Sequence, residues 1–345
     1  MSKKLLAEWY PQDAIQIAWP HAGTDWQRLL PDIEAFYYEL ANTISHLQQL
    51  VIAADPSLDG ELIKAELARR GANLGNVRWF SVATDNTWAR DHGPIAVGDE
   101  TGIELLNFEF NAWGDKYGST LDNAINGEIA SQHGYQAPLR PIDFVLEGGS
   151  IETDGMGTLL STTTCLLNPN RNKGMDLTEV ENHLRKYLGI ERFLWLDHGN
   201  LAGDDTDAHI DTLARFVEAG TIAYVRCEDQ TDEHYHALAK MEAELKAFRQ
   251  TNGEPYHLVP LPLPQAITNS DGERLPATYA NFLITNRCIL MPVYGDPADQ
   301  QAVAAIAAVS GERNVVPVNC RIPIEEFGSL HCLTMQLPEG AISHA

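Results

Sequence analysis

Four separated stretches of the chain carry residue types that together suit nucleophilic attack on a flat cation. They are Trp88-Ala89-Arg90-Asp91-His92-Gly93-Pro94, Leu146-Glu147-Gly148-Gly149-Ser150, the run from Gly203 to Phe216 with His209-Ile210-Asp211 inside it, and Gly328-Ser329-Leu330-His331-Cys332. A thiol supplies a nucleophile, an imidazole a proton carrier, and Asp91, Glu147 and Asp211 a cradle of carboxylates. The cation such carboxylates fit best is a guanidinium, because a carboxylate accepts its parallel N–H groups as a fork.

Each motif has a plainer reading beside the chemical one. Free cysteine is usually a small buried hydrophobe, which serves for Cys165, Cys227, Cys288 and Cys320, although a polar loop follows Cys165. Cys332 instead sits in a short segment after a strand, where a side chain can face a cleft. A nucleophilic thiol needs a lowered pKa or a nearby base. Adjacent His331 is a poor candidate, since consecutive residues of an extended chain face opposite ways. If the His209 stretch is extended, His209 and Asp211 share a face. Such a pair could act as acid and base, or bind a metal with Asp205 and Asp207, or belong to a solvated acidic loop. The lack of further histidines and of EF-hand order weighs against the metal. Asp91 could grip a guanidinium under the Trp88 indole, or pair with Arg90 or cap a turn. Glu147 ends a strand before a glycine turn that lets backbone approach closely; it could orient His209, bind substrate, or be a turn residue.

These residues must be positioned by the elements between them. Helical spacing gives way to short β-rich runs five times: 61–70 to 77–82, 121–132 to 142–146, 178–188 to 192–196, 235–248 to 256–261, and 299–309 to 315–318. Further strands are expected at 103–108 and 221–225. The helices recur at about 60 residues, the kind of period that marks a repeat architecture. Five αβ modules imply a doubly wound sheet or five modules closed around an axis. Closure would gather the polar residue that follows each helix, namely Asp91, Glu147, His209 with Asp211, Asn281 and Cys332, at one central pocket. No linker composition interrupts 1–345, so one domain is expected; 261–264 and 269–272 read as a turn or exposed hairpin loop.

Composition narrows the function. With 24 Lys and Arg against 48 Asp and Glu, the formal charge of −24 argues against nucleic acid, which needs basic patches. It suits solubility and the attraction of a small cation. No stretch reaches the ~20 apolar residues of a membrane span, and the first residues lack an apolar signal region. Five cysteines without C-x-x-C spacing point away from disulfides and zinc ribbons and toward a reducing cytoplasm.

Taken in order, the motifs at 88–94, 147–155, 162–172, 203–216 and 330–336 resemble the agmatine deiminase and bacterial-type peptidylarginine deiminase family of guanidino-modifying enzymes. The resemblance runs from Trp19-Pro20-His21 to Gln336. It implies a five-bladed α/β propeller with a central site, no metal and no organic cofactor, and a possible homodimer. By that resemblance Cys332 attacks the guanidinium carbon, and His209 protonates departing ammonia and then activates water. Asp91 and Asp211 hold the guanidinium nitrogens, Glu147 pairs with His209, and Trp88 and Asn281 contact substrate. Two departures from the family pattern are Ala208, where glycine often precedes the histidine, and Ser329-Leu330 before the cysteine.

Agmatine is the favoured substrate, because its ammonium tail suits acidic walls, giving N-carbamoylputrescine and ammonia. Free or peptidyl arginine would want a cationic or backbone partner, for which Arg90, Arg171 or Arg215 could serve. Amidino transfer to an amine, and guanidine binding without turnover, are the other readings.

Overall fold

The computed structural model describes residues 3–343, folded as an α/β chain with five small sheets. Four follow one another along the chain with the same strand order. Gly102–Glu109 runs antiparallel to Ile95–Asp99 and parallel to Leu139–Val145, with Lys4–Leu5 added at the edge. Thr158–Thr162 stands between antiparallel Glu152–Thr153 and parallel Arg192–Leu196. Thr221–Arg226 stands between Ala214–Glu218 and His257–Pro262, and Cys288–Val293 between Leu283–Ile284 and Asn314–Asn319, in the same senses.

The fifth sheet joins segments from opposite ends of the sequence. Met335–Pro338 pairs antiparallel with Gln12–Ala18, which runs parallel to Gln49–Ala54, and that strand runs parallel to Val77–Ser81. Parallel neighbours need a crossover, and each crossover here contains a helix. The helices are Ile125–Ser131, Leu177–Leu188, Tyr235–Ala247 and Asp299–Ala307, with Leu30–Leu47 and Gly60–Arg69 in the fifth sheet. Local sequence defines their ends. Leu177–Leu188 starts on a capping box of Asp176 and Glu179 and stops at Gly189 in the left-handed conformation.

All five expected helices and all seven expected strands are present, with shifts of a few residues at their ends. The segment at 121–132 is a 3₁₀ turn followed by a short helix. Asn269 to Gly272 forms the exposed tip of an antiparallel bridge between Thr268 and Arg274. The recurrence at 60 residues overlooks Leu30–Leu47 and its two flanking strands. Gln12–Ala18 and Gln49–Ala54 are buried along their whole length, so neither shows the polar alternation of a half-buried strand. The helix does carry a readable stripe, with Ile33, Phe36, Tyr37, Leu40, Ala41 and Ile44 buried. No helix among the described residues is long and apolar enough to cross a membrane.

The repeat puts chemistry in one kind of place. Asp91, Glu147, Asp211, Asn281 and Cys332 each lie in the connection leaving one sheet, a few residues before the first strand of the next. Behind them a buried ionic cluster ties distant segments together. Arg215 donates to Glu8 and to Glu152, each at 2.5 Å, and to the Phe282 carbonyl. Glu8 also accepts from the Ile284 backbone at 2.6 Å. Burial disfavours the charged form of Glu8, but Arg215, His331 and Arg90 outweigh it and hold the carboxyl far below its ordinary range.

Replacing Arg215 by Met would leave two buried carboxylates without their shared cation. The expected loss is about 3–5 kcal/mol of folding stability, the cost of breaking a buried ion pair from one side. Urea midpoints of the two proteins check it; a change below about 1 kcal/mol would show that the cluster is not a structural tie.

Candidate active site

Three of the five connections line a cavity of about 160 Å³, through Asp91, through His209 and Asp211, and through Cys332, with Trp88 and Trp113 as aromatic walls. Two glycines permit the convergence. A Cβ on Gly149 would lie 2.6 Å from His209 Nδ1 and 2.7 Å from Asp91 Oδ1, and one on Gly328 would meet the Trp88 ring at 2.0 Å. The glycine turn after Glu147 thus admits backbone into the site, as its sequence suggests.

Asp91 lies in the short helix Ala89–His92. Its Oδ1 accepts from the Gly149 backbone at 3.0 Å and lies 3.6 Å from His209 Nδ1; its Oδ2 accepts from the Trp113 indole at 2.9 Å. Trp113 is a site residue that sequence reading missed. Its segment is unusual only in three dimensions, with Ala112, Trp113 and Asp115 all at positive φ. Burial pushes the Asp91 carboxyl up to about 6; Asp211 and Glu147 add to the rise and His209 opposes it.

Glu147 is fully buried, and both its oxygens accept from Arg171 Nε at 2.9 Å. Its Oε2 lies 4.0 Å from His209 Nε2. Burial works against a charged His209, yet Asp91, the Cys165 sulfur beside it and Glu147 together carry its pKa well above the ordinary histidine value. The Cys165 thiol, 0 % exposed, has its sulfur within 4.8 Å of the reactive atoms of His209 and Glu147. Burial raises the Cys165 pKa and keeps it a neutral thiol. Ahead of the histidine, Ala208 adopts φ 65°, a conformation glycine holds at less cost. The Ala208 N–H is held there by Asp204 at 2.7 Å.

Asp211 Oδ2 accepts from His331 Nδ1 at 2.8 Å, while its Oδ1 is buried without a hydrogen-bond partner. Burial pushes this carboxyl up, and His331 with the charges of His209 and Arg215 outweighs that push, leaving it below the ordinary range. Cys332 is 7 % exposed, with its sulfur 3.3 Å from Asn281 Nδ2 and 3.9 Å from Asp211 Oδ2. Asn281 Oδ1 accepts the backbone N–H of both His331, at 2.8 Å, and Cys332, at 3.3 Å. The structure thus places Asn281 on the cysteine turn, held by the backbone of His331 and Cys332 and against the Cys332 sulfur. Burial, followed by the charges of Asp211 and Asp91, raises the Cys332 pKa well above the ordinary thiol value. The empty site therefore holds a neutral thiol beside a charged imidazole.

The three arginines that sequence offered to a substrate carboxylate are all engaged elsewhere. Arg171 holds Glu147 and Asp207, Arg215 holds Glu8 and Glu152, and Arg90 donates to Gln336 at 2.6 Å. Asp207 is shared between Arg171 and Lys116, and Asp205 accepts from Tyr117, so neither joins His209 as a ligand pair. The cavity mouth instead gathers Asp25, Asp204, Asp205 and Glu326. Glu326 is pushed up to about 7 by burial and by the charge of Asp25, as crowded carboxylates must be.

The thiol arrangement has a direct spectroscopic consequence. The thiolate absorbance lost in Cys332→Ser should be absent at neutral pH and appear only above about pH 9. Asp91→Asn removes a negative neighbour and should lower that midpoint. A thiolate already present at neutral pH in the unliganded protein would contradict this geometry.

Comparison with known proteins identifies the family. The family described as Porphyromonas-type peptidyl-arginine deiminase matches residues 4–338. The agmatine deiminase of Pseudomonas aeruginosa (strain LESB58) is 32% identical, over 97% of this chain and 95% of its own. A substrate-bound cysteine-to-serine variant of C. jejuni agmatine deiminase superposes with TM-score 0.90 at 34% identity, covering 99% of this chain and 98% of that one. A crystal structure provisionally assigned as a peptidyl-arginine deiminase gives TM-score 0.94 at 42% identity, covering 99% and 100%. Matched along nearly its whole length in sequence and in fold, the chain belongs to the Porphyromonas-type peptidyl-arginine deiminase family.

Proposed function

We propose that this chain hydrolyses agmatine to N-carbamoylputrescine and ammonia through a covalent adduct on Cys332. The observation that carries the choice of substrate is the cavity lining, which holds six carboxylates and neither lysine nor arginine: Asp25, Asp91, Asp204, Asp205, Asp211 and Glu326. A guanidinium takes the inner carboxylates, and the far ammonium of agmatine relieves the mutual repulsion at the mouth. Arginine would bring its own carboxylate to that mouth and find no cation there. The agmatine deiminases among the relatives support the same reading.

The reaction follows from the charges. Bound between Asp91 and Asp211, the guanidinium offsets the negative field that keeps Cys332 protonated, so the thiol releases its proton to solvent. The thiolate adds to the guanidinium carbon and forms a C–S bond. His209, already protonated, gives its proton to the departing nitrogen; ammonia leaves and a thiouronium remains on sulfur. Neutral His209 then takes a proton from water as its oxygen attacks the same carbon. Collapse of that adduct breaks the C–S bond, the hydroxyl oxygen loses its proton to become the ureido carbonyl, and the departing thiolate takes up a proton to restore the resting thiol. Glu147, braced by Arg171, favours the protonated state of His209, and Asn281 steadies the sulfur. This economy of parts is consistent with five sheets standing as blades around one axis, the arrangement we also propose.

Ammonia release measured in parallel on agmatine, arginine and an arginine peptide tests the assignment. Agmatine should be turned over at least about tenfold faster than either, as expected when one polar end group lacks a partner. Equal, very low rates on all three would overturn it. Cys332→Ala should release no ammonia while still binding agmatine by calorimetry; retained turnover in that variant would remove the covalent step.

A further inference from the structure

His331 has no part in the reaction as written, yet it occupies the most charged position behind it. The ring is 1 % exposed. Its Nδ1 lies 2.8 Å from Asp211 Oδ2 and its Nε2 lies 2.7 Å from Glu8 Oε2. A neutral imidazole has one N–H and one lone pair, so one of these contacts would set a lone pair against a carboxylate oxygen. Protonating either carboxylate is the other way out, and the surroundings oppose it. Glu8 is held ionised by Arg215 at 2.5 Å, the Ile284 N–H at 2.6 Å and Arg90 at 3.9 Å. Asp211 must be ionised to receive a guanidinium. The charges packed together here are Arg90 and Arg215 against Glu8, Glu152 and Asp211, with His209 beyond Asp211; a charged His331 makes the inner set three against three.

Resting on the deiminase reading, we propose that His331 is held as an imidazolium between Glu8 and Asp211 and is a positioning residue for the substrate-binding carboxylate. Its Nδ1–H occupies Oδ2 of Asp211. That leaves Oδ1, buried and without a hydrogen-bond partner, as the oxygen presented to the guanidinium. Because His331 precedes the nucleophile and both backbone N–H groups share Asn281 Oδ1, one turn positions both the attacking sulfur and the carboxylate that holds its target. Glu8, far away in sequence, anchors the other side of the ring.

Two measurements test this. Nitrogen NMR of the histidine-labelled wild-type chain, with the His331 signals assigned by their loss in His331→Gln, should show both ring nitrogens protonated at neutral pH. A ring with one unprotonated nitrogen there overturns the proposal, and this measurement requires no variant to remain active. The second is agmatine affinity against pH, measured by calorimetry on Cys332→Ala with and without His331→Leu. Loss of a charge-assisted hydrogen bond should weaken binding about 10–100-fold. Without His331, burial dominates Asp211 and its carboxyl titrates higher, so that its protonation adds to that of Asp91 and affinity should fall more steeply than the parent's as pH is lowered. His331→Gln, which keeps a donor without the charge, should lie between them. Equal affinities with the same acid limb, in variants that melt as the parent does, also overturn it, since lost packing alone moves no acid limb. Failure of the parent to bind agmatine would count against the deiminase reading, while the NMR result would still decide the charge of His331.

Discussion

The constraint on which this structure depends is that its interior carboxylates must remain charged. Asp91, Glu147, Asp211, Glu8 and Glu152 are all buried, and an isolated carboxylate there would take up a proton. Each is kept in service by partners it cannot choose locally. Glu147 has Arg171, Glu8 and Glu152 share Arg215, and Asp211 has His331. Asp91 has two neutral donors, the Trp113 indole and the Gly149 backbone, with His209 Nδ1 at 3.6 Å, and burial still carries its carboxyl up to about 6. This raised carboxylate lies on the wall of the cavity.

The same economy separates two roles for positive charge. The arginines that stabilise the protein lie behind the reacting groups, and no lysine or arginine lines the cavity itself. The one cationic group among its lining residues is His209, beside Asp91. The thiol is tuned by the same field. On the proposed mechanism a bound cation offsets the charges of Asp211 and Asp91 that raise the Cys332 pKa, which couples reactivity to occupancy.

Topology supplies the means. The sulfur comes within reach of Asp211 because Met335–Pro338, just beyond it, pairs with Gln12–Ala18, and because Glu8 precedes that strand into the buried cluster. Segments more than three hundred residues apart are thereby held across the same few ångströms, as in the 2.7 Å contact between His331 and Glu8. Hydrophobic burial forms the sheets, while the ionic contacts select which loops meet.

The sequence by itself determined the α/β character and the recurring helices, and it singled out the thiol, imidazole and carboxylates of the proposed site, because periodicity and residue chemistry are local properties. It also marked the glycine turn beside Glu147 and, through Ala208, a backbone position that favours glycine. The counter-ions were decided only by the tertiary structure. Arg171 and Arg215 could be offered in sequence only to a substrate carboxylate, and nothing in the neighbours of these two or of Glu8 shows which carboxylate or cation they will face. Trp113 reaches Asp91 through a left-handed segment that sequence does not announce, and Asn281 meets the cysteine loop. Which charge compensates which depends on distances between residues far apart along the chain, and those distances exist only once the sheets have packed.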